Sequence, residues 1–421
     1  VLTREENELL CRVEGDAPAG QLLRRYWLPV TIADELAERD GTPVRARILG
    51  RNYVLFRDWA GQLGMLDEQC PHRLASLGLG RNEEGGLRCI YHGWKFDVHG
   101  RCVDMPTEPT QHGFAQRLAA RSYPVREAGA LVWAYVGPPE KEPAFPAFDW
   151  TLLARKDIAI IQLVEHTNYA QALEGGIDTA HTQFLHRGIV PDEKFRAAIS
   201  SDTSPRLEAE DTAYGFRYAA IRRTQDPERT KWVRVTPFVF PTTVMVPRPI
   251  QTEVWSTIQL WTPMDDTRTM HFTLSFRENG APVDEPAFHK FAHWYPGVNV
   301  DPNFEMEMNE RNGWNQDRQA MKDGRSFTGI EGFAAQDIAC QESMGPIVDR
   351  RGEHLGTSDV AIIRWRRRML ENIQRVMNGE EPIGQDGTVD YGHVRSEQRV
   401  IAIDEPWQQI AAFAGEYAGA P

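Results

Sequence analysis

Apolar residues along this 421-residue chain follow two rhythms. Residues 3–27, "TREENELLCRVEGDAPAGQLLRRYW", space their leucines at helical intervals around a Gly/Pro turn, which predicts short helices. Thr3 stands where it can cap the first, with Glu6 placed for a capping box. From Val44 the period drops to two. "VRARILGRNYVLFRDWAGQLGMLDEQC" alternates Val, Tyr, Leu and Phe with polar residues between Gly and Asp turns, and the pattern persists to "ALVWAYVGPP". Residues 44–137 therefore read as a small β domain. The proline-rich "GPPEKEPAFPAF" reads as a linker. A second region opens with a strand, "DIAIIQLVEHT", and a helical run from about Asn168. Strands follow in "YGFRYAAIRRT", "KWVRVTPFVFPTTVMVP", "TEVWSTIQLWTP" and "MHFTLSFR", and helices return at 301–323 and 358–378. The expected fold is α+β: leading helices and an all-β domain over residues 1–150, then a large antiparallel sheet flanked by helices over 151–421.

The formal charge of −13 argues against nucleic acid and against an anionic membrane as partners, because both select basic surfaces. A local arginine can still hold an anionic substrate, since distant charge is screened. No stretch approaches the roughly 20 apolar residues of a membrane span, and the N-terminus lacks an apolar signal core, so a cytoplasmic location is expected. The five cysteines are an odd number, and two of them stand beside histidines, which argues against a disulfide framework.

Those two carry the chemistry. Cys70-x-His72 and Cys89-x-x-His92 each place one thiol and one imidazole in a glycine-containing loop. Zinc fingers usually group Cys with Cys and His with His. One of each per loop suits a two-iron cluster with unlike irons, two thiolates on one and two imidazoles on the other, which raises the reduction potential. Gly78, Gly80 and Gly93 are expected to let backbone approach the cluster. "CPHRLASLGLGRNEEGGLRCIYHGW" resembles the Rieske [2Fe–2S] motif. Cys102 is expected to be a buried free thiol, Cys11 and Cys340 to be inert, and His99 to sit in a turn.

A cluster domain needs about a third of this length. In the remainder, "NYAQALEGGIDTAHTQFLH" holds Asp178, His181 and His186. Asp178 and His181 share a helical face. His181 and His186, about 140° apart on an ideal helix, can meet at one ion only if the helix ends, bends or bulges between them. The stretch resembles the mononuclear-iron motif of Rieske aromatic ring-hydroxylating oxygenases. That resemblance implies His181 and His186 as Fe(II) ligands, and Asp178 as a bridge between His181 and a Rieske histidine, His92 by motif match, of a neighbouring subunit. It also implies Asn168 near the iron. The carboxylate ligand must come from later in the chain. Asp317 and Asp323 fall on an amphipathic stretch, whereas Asp337 in "GFAAQDIACQESMGPI" has apolar neighbours and needs a reason to be buried; Asp337 is the choice, and "QD…SMGPI" resembles the family segment.

"LTREENELL…LLRRYWLPV" and "QESMGPIVDRRGEHLGTSDVAIIRWRRRML" resemble the phthalate 4,5-dioxygenase branch. The resemblance implies a homotrimer or stacked hexamer of oxygenase subunits. It also implies a separate flavin and iron–sulfur reductase drawing on NADH, and insertion of oxygen from O₂ into an aromatic acid. O-demethylation or aryl-ether cleavage is the alternative reaction; a pure Rieske electron carrier and a zinc-stapled binding protein are the competing classes. Arg206, Arg217, Arg222 and Arg248 are candidate carboxylate anchors. The basic run 364–368, "RWRRR", reads as a helix face paired with nearby acids, or as a dock for an acidic reductase or the next subunit.

Overall fold

The computed structural model of the chain describes residues 2–109, 113–187, 202–247, 256–277 and 281–410. The helix Arg4–Cys11 starts at the expected capping box: the Glu6 amide donates to Thr3 Oγ1 at 3.1 Å and the Thr3 amide to Glu6 Oε2 at 2.8 Å. Pro18 opens the next helix, Pro18–Leu23, where its missing N–H would have no partner anyway. The helical reading overshoots from there. Trp27–Ile32 is a strand, buried along its whole length and paired with Leu131–Tyr135. A strand buried on both faces shows no alternation, so its apolar run has no strand signature.

Three small antiparallel sheets make up the β region. Trp27–Ile32, Leu131–Tyr135 and Val125–Ala128 form one; Val44–Ile48, Arg51–Arg57 and Leu63–Asp67 another; Arg81–Glu83, Gly86–Arg88, Lys95–Phe96 and Cys102–Asp104 the third. Val54, Phe56, Leu66, Leu87, Trp94 and Phe96 pack behind Cys70 and Cys89. Residues 137–148 are pinned rather than loose. Phe145 lies edge-on to Trp27 and Trp133, and Phe148 stacks on Trp150 at 5.4 Å. Proline sets the extended path, and the aromatic side chains anchor it.

The large sheet holds eight antiparallel strands among the described residues. Seven run in the order Ile158–Glu165, Thr269–Phe276, Ser256–Pro263, Thr243–Val246, Thr230–Val239, Gly215–Arg223, Arg206–Thr212; Glu397–Ala402 adds to Thr230–Val239. Helices Tyr169–Ile177, Phe333–Glu342 and Val360–Met377 flank it. The long helix expected over 301–323 is absent. Only a 3₁₀ segment, Glu310–Asn315, and a short helix, Arg318–Lys322, form there, because Gly313 and Trp314 take left-handed φ of 60° and 51° and break the run.

Both parts share interior. Leu10, Ile48 and Tyr53 lie in one core with Tyr169, Trp261 and Trp365. The Leu49 amide donates to Pro263 O at 2.9 Å, the Gly50 amide to Met264 O at 2.8 Å, and Arg47 Nε to Asp265 Oδ2 at 2.9 Å. Deeper in, Arg350 and Arg366 converge on Glu174, all three buried, with Arg350 also bonding Asn7 and the Cys11 thiol. Burial pushes the Glu174 carboxyl up, but Arg350 and Arg366 hold it below the usual carboxylate range. Removing either partner from such a buried network typically costs about 3–5 kcal/mol. The basic run is likewise paired within the chain: Arg364 with Asp211, Arg366 with Glu174 and Glu353, Arg367 and Arg368 with Glu371.

Candidate metal centres

Cys70 and Cys89 occupy matching positions in two turns. Each cysteine carbonyl accepts from the amide four residues on, Leu74 or Gly93, at 2.9 Å; each cysteine amide donates to the residue five on, Ala75 O or Trp94 O, at 2.8 Å. Leu74 and Gly93 both take positive φ, 63° and 77°. Glycine adopts this freely, whereas leucine pays of order 1 kcal/mol or more. Both thiols are buried, and the half-buried imidazoles of His72 and His92 lie 4.4 Å apart between ring centres. Trp94 stacks on His72 at 4.1 Å and donates its Nε1–H to Thr107. Burial pushes the Cys70 thiol up to about 11, so a metal must displace its proton. Desolvation, then His72 and Arg73, push His92 down and favour the neutral imidazole that ligates metal.

All three glycines also stand close to protein. A Cβ at Gly78 would meet the Arg45 stem at 2.6 Å, one at Gly80 the carbonyls of Leu77 and Arg88 at 2.7 Å, and one at Gly93 the Pro106 ring at 2.8 Å. Cys102 is only partly buried, Cys11 is buried beside Arg350, Cys340 is exposed, and His99 sits in the Asp97–Gly100 turn.

The second set of residues forms at the end of the helix Tyr169–Ile177. This helix stops where the "EGG" glycines pack too closely for any side chain: a Cβ at Gly175 would meet Gln341 Nε2 at 2.2 Å, and one at Gly176 the Trp261 ring at 2.1 Å. Asp178 then caps the helix and turns the chain, its Oδ1 accepting from the Ala180 amide at 2.7 Å. His181 starts a 3₁₀ turn, so the two histidines escape the helical angle that would separate them. Nε2 of His181 and of His186 lie 3.3 Å apart, and Asp337 Oδ1, from the helix Phe333–Glu342, is 3.5 Å from the first and 3.2 Å from the second. Among the described residues these three are the group of His, Cys, Asp or Glu side chains whose donor atoms all fall within 4.8 Å. The Cys/His quartet is not gathered so tightly, which suits two metal ions better than a single zinc.

Donors about 2.1 Å from one ion sit about 3.0 Å apart at 90° and about 3.4 Å at 109°, so the observed 3.2–3.5 Å fits a metal. Burial pushes Asp337 up, but His186 and then His181 hold it below the ordinary carboxylate range. Burial pushes His186 down, yet Asp337 more than offsets this and raises it. Asp178 Oδ2 faces His181 Nδ1 at 3.5 Å, and its side chain keeps 24% of its surface exposed.

Asn168 is not at this centre. Its side chain caps the opposite end of the same helix, about 13 Å of rise away, and donates to Cys11 O and Asp266 O. Asp317 caps Arg318–Lys322, and Asp323 is exposed and paired with Arg325. Gln336 is a residue that sequence reasoning missed: its Oε1 accepts from His186 Nδ1 at 2.9 Å, while its amide donates to Thr328 Oγ1 and Ile330 O. A glutamine beside the candidate acid in an apolar run was the available signal. Of the four candidate anchors, Arg206 is exposed and pairs with Glu208, Arg217 is buried on Glu210, and Arg222 is buried against Thr179 O; Arg248 lies outside the described residues. Arg234 was missed, although a charge alternating with Trp232 and Thr236 in a buried strand marked it.

A two-loop Cys/His cradle on a small β domain, followed by a histidine–carboxylate cluster beneath a large antiparallel sheet, defines an iron–sulfur oxygenase. Family profiles agree: one described as "Rieske [2Fe-2S] domain" matches residues 26–124, and one described as "LigXa C-terminal domain like" matches 134–419. The chain belongs to the Rieske non-haem iron oxygenases, in the branch that resembles phthalate 4,5-dioxygenase. It is 41% identical to the phthalate 4,5-dioxygenase oxygenase subunit of Pseudomonas putida, over 98% of this chain and 95% of that one. It is 37% identical to the 3-chlorobenzoate-3,4-dioxygenase oxygenase subunit of Comamonas testosteroni, over 96% of each. In fold it matches the terminal oxygenase of carbazole 1,9a-dioxygenase from Novosphingobium sp. KA1, with TM-score 0.57 at 22% identity, over 83% of this chain and 94% of that one. Among the described residues no helix is long and apolar enough to cross a membrane.

Proposed function

We propose that the chain is the terminal oxygenase component of a multicomponent system that uses O₂ to hydroxylate an aromatic acid, with electrons drawn from NADH through a separate reductase. The convergence of His181 Nε2, His186 Nε2 and Asp337 Oδ1 in a chain that carries a Rieske domain supports this reading most strongly. Two histidines and a carboxylate on one side leave the other side open, the pattern of non-haem Fe(II) oxygenases. In this reading Cys70, Cys89, His72 and His92 hold the [2Fe–2S] cluster, and His181, His186 and Asp337 hold Fe(II), which when bound supplies the O₂-activating chemistry.

The protein's own groups set up that site. Gln336 Oε1 accepts the Nδ1–H of His186, leaving the Nε2 lone pair free for a metal. Asp178 Oδ2 stands 3.5 Å from His181 Nδ1, placed to orient that ring, and its exposed edge can receive a histidine from a second subunit. Exposed apolar side chains flank both centres: Leu74, Leu79, Ile90 and Tyr91 by the cluster loops, Phe184 and Phe327 by the histidines. Head-to-tail association into a trimer or stacked hexamer would cover both sets.

Purified protein should be red-brown and hold about three irons per chain. Asp337→Ala should lose about one of them while the Rieske absorbance persists; unchanged iron content would remove Asp337 from the site. Supplied with a reductase and NADH, the protein should convert an aromatic acid to a product heavier by one or two oxygens, read by mass. A product lighter by a methylene would point to O-demethylation instead.

A further inference from the structure

Among the described residues, two arginines on one face of the large sheet have no carboxylate partner. Tyr218, Ala220 and Arg222 on the strand Gly215–Arg223 stand opposite Thr236, Arg234 and Trp232 on Thr230–Val239. Alternate residues of a strand share a face, so Arg222 and Arg234 are diagonal neighbours on the same side. Arg222 is 3% exposed; its Nη2 donates to Thr179 O at 3.2 Å, its guanidinium lies 5.1 Å from the Trp232 ring centre, and its Nε has no partner. Arg234 Nε is also buried without a partner, and among the described residues Arg234 makes no hydrogen bond or ion pair.

This is unusual within the molecule. Of the five arginines buried below a tenth exposure among the described residues, Arg25, Arg217, Arg350 and Arg366 each pair with a glutamate, and Arg222 pairs with no described carboxylate. The acids nearest in charge are committed elsewhere. Asp202 accepts from Arg223 and from the Ser204 amide, and Asp178 from the Ala180 amide. A buried cation without a counter-ion is costly unless something anionic arrives to pair with it.

The face lies against the candidate iron centre. Thr179, which holds Arg222, sits between Asp178 and His181. Arg234 is the diagonal neighbour of Arg222 on that face, and burial, then Arg234, push Arg222 down to about 10.

We infer that Arg234, backed by Arg222, is the carboxylate anchor of the substrate pocket, binding an aromatic acid by its anionic end and presenting its ring to the histidine–carboxylate centre. The inference rests on the oxygenase reading for what happens to that ring, but the anchor itself does not depend on turnover. A guanidinium presents a fork of donors that matches a carboxylate, and two of them on adjacent strands can receive one carboxylate or two neighbouring ones. Arg222 is the positioning partner, because one of its donors is already spent on Thr179.

Calorimetric titration of the metal-replete, unreduced protein with benzoate, 3-chlorobenzoate and phthalate, each beside its neutral amide, tests this. At least one acid should bind tenfold or more tighter than its amide. Arg234→Gln should weaken that acid by about 30-fold and leave the amide unchanged. Arg234→Leu should melt at a higher temperature than the parent, because a half-buried charge with an unpartnered Nε is gone, and should lose the melting-temperature rise that the acid confers on the parent. An arginine with only a structural role would instead melt lower on substitution and leave acid binding intact, which overturns the proposal. So would acids that bind no better than amides, or acid binding that survives both substitutions. Iron content and the Rieske spectrum of the same samples separate the two readings. Selective acid binding without the metals would keep the anchor and sink the oxygenase. Full metal content without selectivity would do the reverse.

Discussion

Nδ1 of His186 donates to Gln336 Oε1, and the Gln336 amide is held in turn by Thr328 and Ile330. This chain of bonds fixes which nitrogen of His186 faces the centre. Gln336→Leu should therefore loosen mononuclear iron by about 10–100-fold, measured as retention against a chelator with the Rieske absorbance as internal standard. Asp178→Asn should leave both metals in place and abolish product formation; normal turnover would remove Asp178 from any electron bridge. The residues of this centre differ in how legible they were. Asp178, His181 and His186 lie within nine positions, and their spacing alone raised the metal question. Choosing among Asp317, Asp323 and Asp337 needed an argument about burial. Gln336 and Arg234 left only faint marks, a polar residue in an apolar run and a charge in a buried strand; their roles stay out of sight, since Gln336 meets His186 across 150 residues and Arg234 matters for lacking a partner among the described residues, a property that only packing defines.

At the scale of elements, the glycine pair decides where the motif helix can lie. Gly176 leaves no room for even a methyl group against Trp261, whose indole stacks on His271 at 4.8 Å. Gly176→Ala forces the helix off the sheet. It should cost about 1–3 kcal/mol by overpacking and lower mononuclear iron content, seen as a reduced denaturation midpoint with an intact Rieske spectrum. Strands with alternating polarity could be read from the chain: Gly215–Arg223 and Thr269–Phe276 lie where "YGFRYAAIRRT" and "MHFTLSFR" put them. Two elements could not. Trp27–Ile32 hides because both of its faces are covered, and 301–323 mimics a helix until Gly313 and Trp314 turn left-handed.

Across the whole molecule, the cluster domain and the large sheet are joined by backbone hydrogen bonds from Leu49 and Gly50 to Pro263 and Met264, and by cores that run through both. The aromatic residues of 137–148 are part of that join, so the segment offers no hinge. Electron carriers that swing between docking positions are slowed when the solvent thickens. A cluster fixed to its own catalytic domain has no arm to swing, so in an assembled oligomer its handover to the neighbouring subunit's centre should wait on no domain motion. In stopped-flow single turnover of the pre-reduced enzyme, the rate at which the cluster reoxidises should stay flat as sucrose raises the viscosity severalfold. A rate falling in proportion to viscosity would mean that the seam opens on every cycle.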